Sequence, residues 1–187
     1  MKERVSVLRA AYAAAQWHVH QRRKSAAQEP YINHLLEVAS LVTEATAGTE
    51  PDVVIAALLH DAIEDQGVTA ETIASEFGKH VANIVMELTD DKSLPKVERK
   101  RLQVENASQK SRQAKLIKLA DKTSNVRAVA VANSPAPDWS IQRRQEYIDW
   151  SKSVVAGLRG TSPWLEQQFD EAAERAARSL NPSAASV

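Results

Sequence analysis

Apolar residues recur three and four positions apart through most of this chain, and short breaks rich in Pro, Gly, Ser, Asp or Asn separate them. That spacing is the helical period, and no run of useful length alternates with the period of a strand. The pattern predicts helices over 3–23, 32–46, 52–64, 69–76, 78–89, 95–106, 111–131, 138–158 and 162–179. Pro51-Asp52 places a proline in the first turn of the third helix, and Thr69 and Ser162 stand where a hydroxyl caps a helix start. The fold class is therefore all-α, a single-domain bundle of about eight to ten helices. It spans residues 1–180 and leaves a loose Ser- and Ala-rich tail at 181–187.

Composition narrows the class. Apolar residues make up 43% of the 187 residues and charged residues 26%, ordinary for a globular protein with one core. No apolar stretch is long enough to span a bilayer, and Met1-Lys2-Glu3-Arg4 lacks the apolar core of a signal peptide. A cytoplasmic address and no membrane partner are expected. There is no cysteine, which excludes disulfides and thiolate metal sites. The 24 basic side chains balance 24 acidic ones, without the excess that a nucleic-acid backbone demands. Basic residues cluster at Arg22-Arg23-Lys24 and from Lys96 to Arg101. Local clusters on a neutral chain suit a small polyanion better than a duplex.

The sharpest chemical signal follows the apolar run Val53 to Leu59. His60, Asp61, Glu64 and Asp65 put four ionisable residues into six positions. On one continuous helix His60 lies under Glu64 and Asp61 under Asp65, with His60 and Asp61 about 100° apart around the axis. An imidazole and a carboxylate can then share one cation, with two further acids facing what it holds. Tyr31-Ile32-Asn33-His34 offers a second imidazole, and Asp121 a second carboxylate with Asn125 one turn later. Two His and two Asp form a four-ligand set suited to Mn, Fe or Zn.

Each residue also has a plainer reading. Asp121 lies in an apolar helix, where an unpaired carboxylate costs several kcal/mol, so it needs a metal or an ion pair with Lys118 or Lys122. Glu64 and Asp65 fall at a helix C-terminus, where the dipole disfavours acids. That placement argues for a role in positioning or deprotonating water, Glu64 ahead of Asp65. Arg22-Arg23-Lys24 could be a basic helix end, or the loop to Tyr31 could carry Arg23 and Lys24 to the metal site. The loop at Asp90 to Ser93 could line the same cleft. Glu98 to Arg101 reads as a solvated face first and a phosphate contact second. Arg127 reads as structural, the tryptophans as packing between C-terminal helices, and His18, His20 and His80 as surface or core.

The order His34, His60-Asp61, Asp121 resembles the signature of HD-domain phosphohydrolases. Arg22-Arg23-Lys24, Tyr31 to His34, His60 to Asp65, Thr89 to Lys92, Glu98 to Arg101 and Leu119 to Lys122 with Asn125 and Arg127 follow in register. These six blocks are similar to the hydrolase domain of the Rel/Spo alarmone enzymes, above all to the stand-alone Mesh-type hydrolases, over about residues 5–155. One departure is Leu35, where the family commonly has proline after the first histidine. The resemblance implies an HD-domain bundle and a Mn²⁺-dependent 3′-pyrophosphohydrolase acting on ppGpp and pppGpp. It implies metal ligation by His34, His60, Asp61 and Asp121, and catalysis by Glu64 and Asp65 with Asn125 placing the ribose. Substrate contacts would come from Arg23, Lys24, Lys122 and Tyr147. The length leaves no room for the synthetase of the bifunctional enzymes, so degradation alone is expected. The alternatives are an HD phosphatase or nucleotidase on another nucleotide such as NADPH, and a nucleotide-binding sensor or partner protein.

Overall fold

The structure, a computed structural model, describes residues 2–24, 27–130 and 139–180. Ten α-helices occur among them: α1 (Lys2–Trp17), α2 (Ile32–Ala45), α3 (Pro51–Leu59), α4 (Ala62–Gln66), α5 (Ala70–Phe77), α6 (Lys79–Leu88), α7 (Lys96–Glu105), α8 (Arg112–Val129), α9 (Ile141–Ala156) and α10 (Pro163–Leu180). No strand occurs among the described residues, so the all-α class holds. The expected loose tail at 181–187 lies outside them.

Helix α3 is apolar on every side, and Val53 to Leu59 are all buried. A helix with no polar face is stable only when covered all round. Helices α1, α2, α6 and α8 cover it, and α8 is backed in turn by α9 and α10. Ala10 and Ala14 of α1 are fully buried, where small side chains allow a close approach. Thr69 and Ser162 cap their helices as the sequence suggests, accepting from the Thr72 amide at 3.1 Å and the Leu165 amide at 3.3 Å, and Ser111 and Ser140 cap α8 and α9 in the same way, from Ala114 at 3.2 Å and Arg143 at 3.1 Å. Among the described residues no helix is long and apolar enough to cross a membrane.

Two expected helices end early, and both breaks build the site. The first stops at Trp17, not residue 23. Gln21 turns back to bond the buried His18 Nδ1 at 2.6 Å, and Tyr31 stacks on the His18 ring at 5.3 Å. The chain then doubles back: the Arg23 amide donates to Glu29 at 2.9 Å and the Tyr31 amide to Gln21 at 3.1 Å. The basic triplet is thus on a stitched loop and not on a helix end. The second break falls inside the expected helix 52–64. Helix α3 ends at Leu59, and Asp61 takes φ −100° and ψ 0° as the residue before α4. An Asp there ordinarily caps its helix. Asp61 makes no such cap, because its carboxylate is turned inward.

Gly157 closes α9 against the 3₁₀ turn Ala107–Gln109. A Cβ at this position would meet the Ala107 Cβ at 2.7 Å and the Ser108 nitrogen at 3.1 Å. Its φ of −76° suits any residue, so the constraint is contact alone. Gly157→Ala is expected to cost about 1–3 kcal/mol by overpacking. Chemical denaturation reads this as a lower midpoint, and an unchanged midpoint contradicts the close approach.

Candidate metal centre and cleft

Four side chains from three places in the chain meet at one point. His34 comes from the first turn of α2, His60 and Asp61 from the break after α3, and Asp121 from the middle of α8. His34 Nε2 lies 3.3 Å from Asp121 Oδ1 and 3.9 Å from Asp61 Oδ2. His60 Nε2 lies 3.1 Å from Asp61 Oδ2 and 3.8 Å from Asp121 Oδ1. Donor atoms of His34, His60 and Asp121 all fall within 4.8 Å of one another. The departure at Leu35 does no harm. Helix α2 begins upstream at Ile32, and Leu35 continues it as a fully buried core residue.

The hydrogen bonds behind the histidines set which nitrogen faces inward. His60 Nδ1 stands 2.8 Å from the Ala57 carbonyl, which can only accept, so Nδ1 carries the proton. His34 Nδ1 stands 2.9 Å from Ser124 Oγ, whose own hydroxyl donates to Glu37 Oε2 at 2.7 Å. Ser124 therefore accepts from His34. Both Nε2 atoms face the meeting point, buried and without a hydrogen-bond partner. Histidine ligands are oriented in this way by outer contacts. The carboxylates reinforce the demand for positive charge. Burial alone would lower the His60 pKa, but Asp61 and Asp121 overcome it and raise it to about 10. Burial works to raise both carboxyls too. The His60 charge at Asp61 and the Lys122 charge at Asp121 outweigh it and hold both below the usual range. A divalent ion would take the place of the proton that the two acids hold on His60, and two imidazole nitrogens with two ionised carboxylates at one point fit a transition ion.

Secondary contacts steady the acids. The Tyr31 hydroxyl donates to Asp61 Oδ2 at 2.6 Å, and Asn125 Nδ2 donates to Asp121 Oδ1 at 2.6 Å. Lys122 Nζ reaches Asp121 Oδ2 at 3.3 Å. The ion pair offered as the plain reading of Asp121 exists, beside the histidines and not instead of them.

A polar cleft of about 460 Å³ opens from this point, and Asp61, Asp121, Glu64, Asp65 and Asn125 line it. Glu64 accepts from the Asp90 amide at 3.2 Å and lies 3.6 Å from Arg99. Burial pushes its carboxyl up, partly offset by that amide. Asp65 accepts from Gln21 at 2.8 Å and pairs with Lys92 at 2.7 Å. Both acids sit in the first turn of the short α4, so the dipole does not oppose them. The expectation of an unfavourable helix end is corrected by the break at Asp61.

Basic and aromatic residues form the remaining walls. Arg23 approaches Ser124 Oγ at 3.4 Å, and Lys24 and Tyr147 line both the polar cleft and a more apolar recess of about 470 Å³ beside it. Lys122 and Lys100 sit over the Trp150 ring at 4.4 and 4.5 Å. The run Glu98 to Arg101 divides. Arg101 is exposed and pairs with Glu98 and Glu105, while Arg99 and Lys100 face the cleft. Arg127 ties α8 to Glu37 at 3.0 Å and to Gln168 of α10 at 2.8 Å, a structural link as expected.

Several participants were not legible in sequence. Ser124 and Glu37 lie 87 residues apart, with no local signal joining them. Lys118 did carry a signal. With Asp121, Lys122 and Asn125 it makes a polar stripe at helical spacing beside the apolar residues Leu116, Ile117, Leu119 and Ala120 of α8. Trp150 serves as more than packing, since its ring covers Lys122 and its Nε1 donates to the Lys100 carbonyl at 3.1 Å.

Comparison with known proteins agrees with this geometry. A family model for the HD domain matches residues 10–148. The guanosine-3′,5′-bis(diphosphate) 3′-pyrophosphohydrolase MESH1 of Xenopus tropicalis is 50% identical over 164 residues, 88% of this chain and 90% of that protein. The Homo sapiens MESH1 is 48% identical over 166 residues, 88% and 91% of the two chains. The GTP pyrophosphokinase rsh of Brucella melitensis is 32% identical over 171 residues, 88% of this chain but 22% of that longer protein. A solved structure described as a metazoan orthologue of SpoT that hydrolyses ppGpp superposes with a TM-score of 0.86 at 43% identity, covering 94% of this chain and 96% of the other. By its family match, its relatives and its fold, this chain belongs to the HD domain family, on the branch that holds the MESH1 proteins.

Proposed function

We propose that this protein is a metal-dependent (p)ppGpp 3′-pyrophosphohydrolase. Water would be added at the 3′ diphosphate, giving pyrophosphate and GDP, or GTP from the pentaphosphate. The observation that carries the reading is the convergence of two buried, unpartnered imidazole nitrogens and two carboxylates at the head of a cleft walled by cationic side chains. The activity named for the MESH1 relatives supports it.

His34, His60, Asp61 and Asp121 would hold the ion, which we take to be Mn²⁺ on the mixed nitrogen and oxygen donors. A divalent ion there would acidify water and withdraw charge from the phosphorus under attack. Glu64 stands beside the cluster, tethered by the Asp90 amide, and would orient the water and take its proton. Asp65, gripped by Gln21 and Lys92, would serve second in that task. Asn125 would keep Asp121 aimed and meet the ribose 3′ side. Arg23 and Lys24 from the stitched loop, and Lys122 from α8, would hold phosphate oxygens. Tyr147 would wall the nucleoside.

The test is product analysis on a small nucleotide panel with Mn²⁺. ppGpp is expected to give GDP and pyrophosphate in equal amounts. Release of single phosphate from NADPH or a nucleoside monophosphate, with ppGpp untouched, would move the protein to another HD phosphatase class.

A further inference from the structure

Lys118 is the one buried cation at this cleft that the roles above do not use. It projects from α8 one turn before Lys122, is 9% exposed and lines the cleft wall with Arg99. Among the described residues no carboxylate comes within ion-pair distance of its ammonium, and no hydrogen bond to it is formed. Its neighbours make this worse: Lys122 is 4% exposed, and that residue's one nearby acid, Asp121, also faces the two histidines. Asp121, Asp90 and Asp61 act on Lys118 only from farther off. Burial, with the Lys122 charge, lowers its pKa. Arg99 adds a second unmet donor, since its Nε is buried without a partner. A largely buried lysine whose ammonium has no counter-charge destabilises the fold unless an anion from the cleft supplies one.

We infer that Lys118, backed by Arg99, forms an inner diphosphate subsite on the α7–α8 side of the cleft, filled by the leaving pyrophosphate. The inference rests on the hydrolase reading for the origin of that anion, but not for the existence of the subsite. The cations come from different parts of the chain. Arg23 and Lys24 lie on the loop before α2, Arg23 3.4 Å from Ser124 Oγ, while Arg99 comes from α7 and Lys118 from α8. A substrate with phosphate chains at both ends of its ribose needs two such groups. The inner one is where a free diphosphate anion should bind after the P–O bond to the ribose oxygen is broken.

The test titrates inorganic pyrophosphate, and separately GDP, into metal-loaded wild type and Lys118→Met by calorimetry, with equal metal content checked in both. Lys118→Met is expected to weaken pyrophosphate at least about tenfold, the scale of a lost charge-assisted hydrogen bond. GDP affinity should change less than about twofold. Without ligand, the variant should melt at a higher temperature than wild type, because an uncompensated buried charge has been removed. A merely structural lysine would move Tm the other way. Arg99→Met, on a helix with no buried residue, gives a second variant that should also weaken pyrophosphate. Wild-type pyrophosphate affinity in either folded variant, or equal weakening of GDP, overturns the subsite. If pyrophosphate binding depends on Lys118 while ppGpp is not hydrolysed, the subsite stands and the activity reading falls.

Discussion

Asp61→Ala is expected to empty the metal centre and abolish hydrolysis. Asp61 supplies one of two carboxylates to a point where two imidazole Nε2 atoms have no hydrogen-bond partner. Removing it leaves His60 facing one acid, Asp121, whose other oxygen is already taken by Lys122. Changes to outer contacts alone typically cost 10–100-fold in metal affinity, so loss of a ligand should cost on the order of 10²-fold or more. Elemental analysis after dialysis should find about one divalent ion per chain in wild type and almost none in the variant. The protein should stay folded, because its apolar core around α3 does not involve this carboxylate. Full metal occupancy in a folded Asp61→Ala chain would overturn the ligand set.

A gentler counterpart lies behind His34. The Ser124 hydroxyl accepts from that ring while donating to Glu37, and Arg127 holds Glu37 in place. This chain of contacts shows where sequence reasoning stops. The ligands were legible because each places a rare charged type in apolar surroundings, and because their order matches a known pattern. Ala57 and Asn125 aim His60 and Asp121 from within one helical turn, but Ser124, which aims His34, lies 90 positions from it and nothing local marks the pair. The helices were legible for the same reason in reverse: periodicity is local, and α2, α5, α6, α8 and α10 run close to their expected ranges. What periodicity cannot see is a side chain withdrawn from helix duty. Asp61 continues an apolar helical pattern, yet its carboxylate is spent on Tyr31 and His60, so α3 and α4 part there. Likewise Gln21 and Tyr31 recruit the chain after Trp17 into a loop around the buried His18. Both errors fall at the site. Local preference gives way there to the geometry the ligands require.

Glu64 separates the chemistry from the metal. It bonds none of the four ligands; its partners are the Asp90 amide and Arg99. Glu64→Ala should therefore keep the ion at wild-type occupancy and lose rate by roughly 10²- to 10⁴-fold, the range for a positioned acid or base. Glu64→Gln keeps the shape and the bond from the Asp90 amide but cannot accept a proton as a carboxylate does. If Glu64 deprotonates the water, Gln should be nearly as slow as Ala; if it only orients the water, Gln should recover most of the rate. Asp65 offers the contrast. Its carboxylate is committed to Gln21 and to Lys92, an exposed pair worth little by itself. Asp65→Ala should free that lysine and slow turnover by roughly tenfold, well short of the loss at Glu64. Single-turnover rates with metal content measured on the same samples give the comparison. Wild-type rates in both alanine variants would remove the water-positioning role from α4 altogether, and a larger loss at Asp65 would exchange the two assignments.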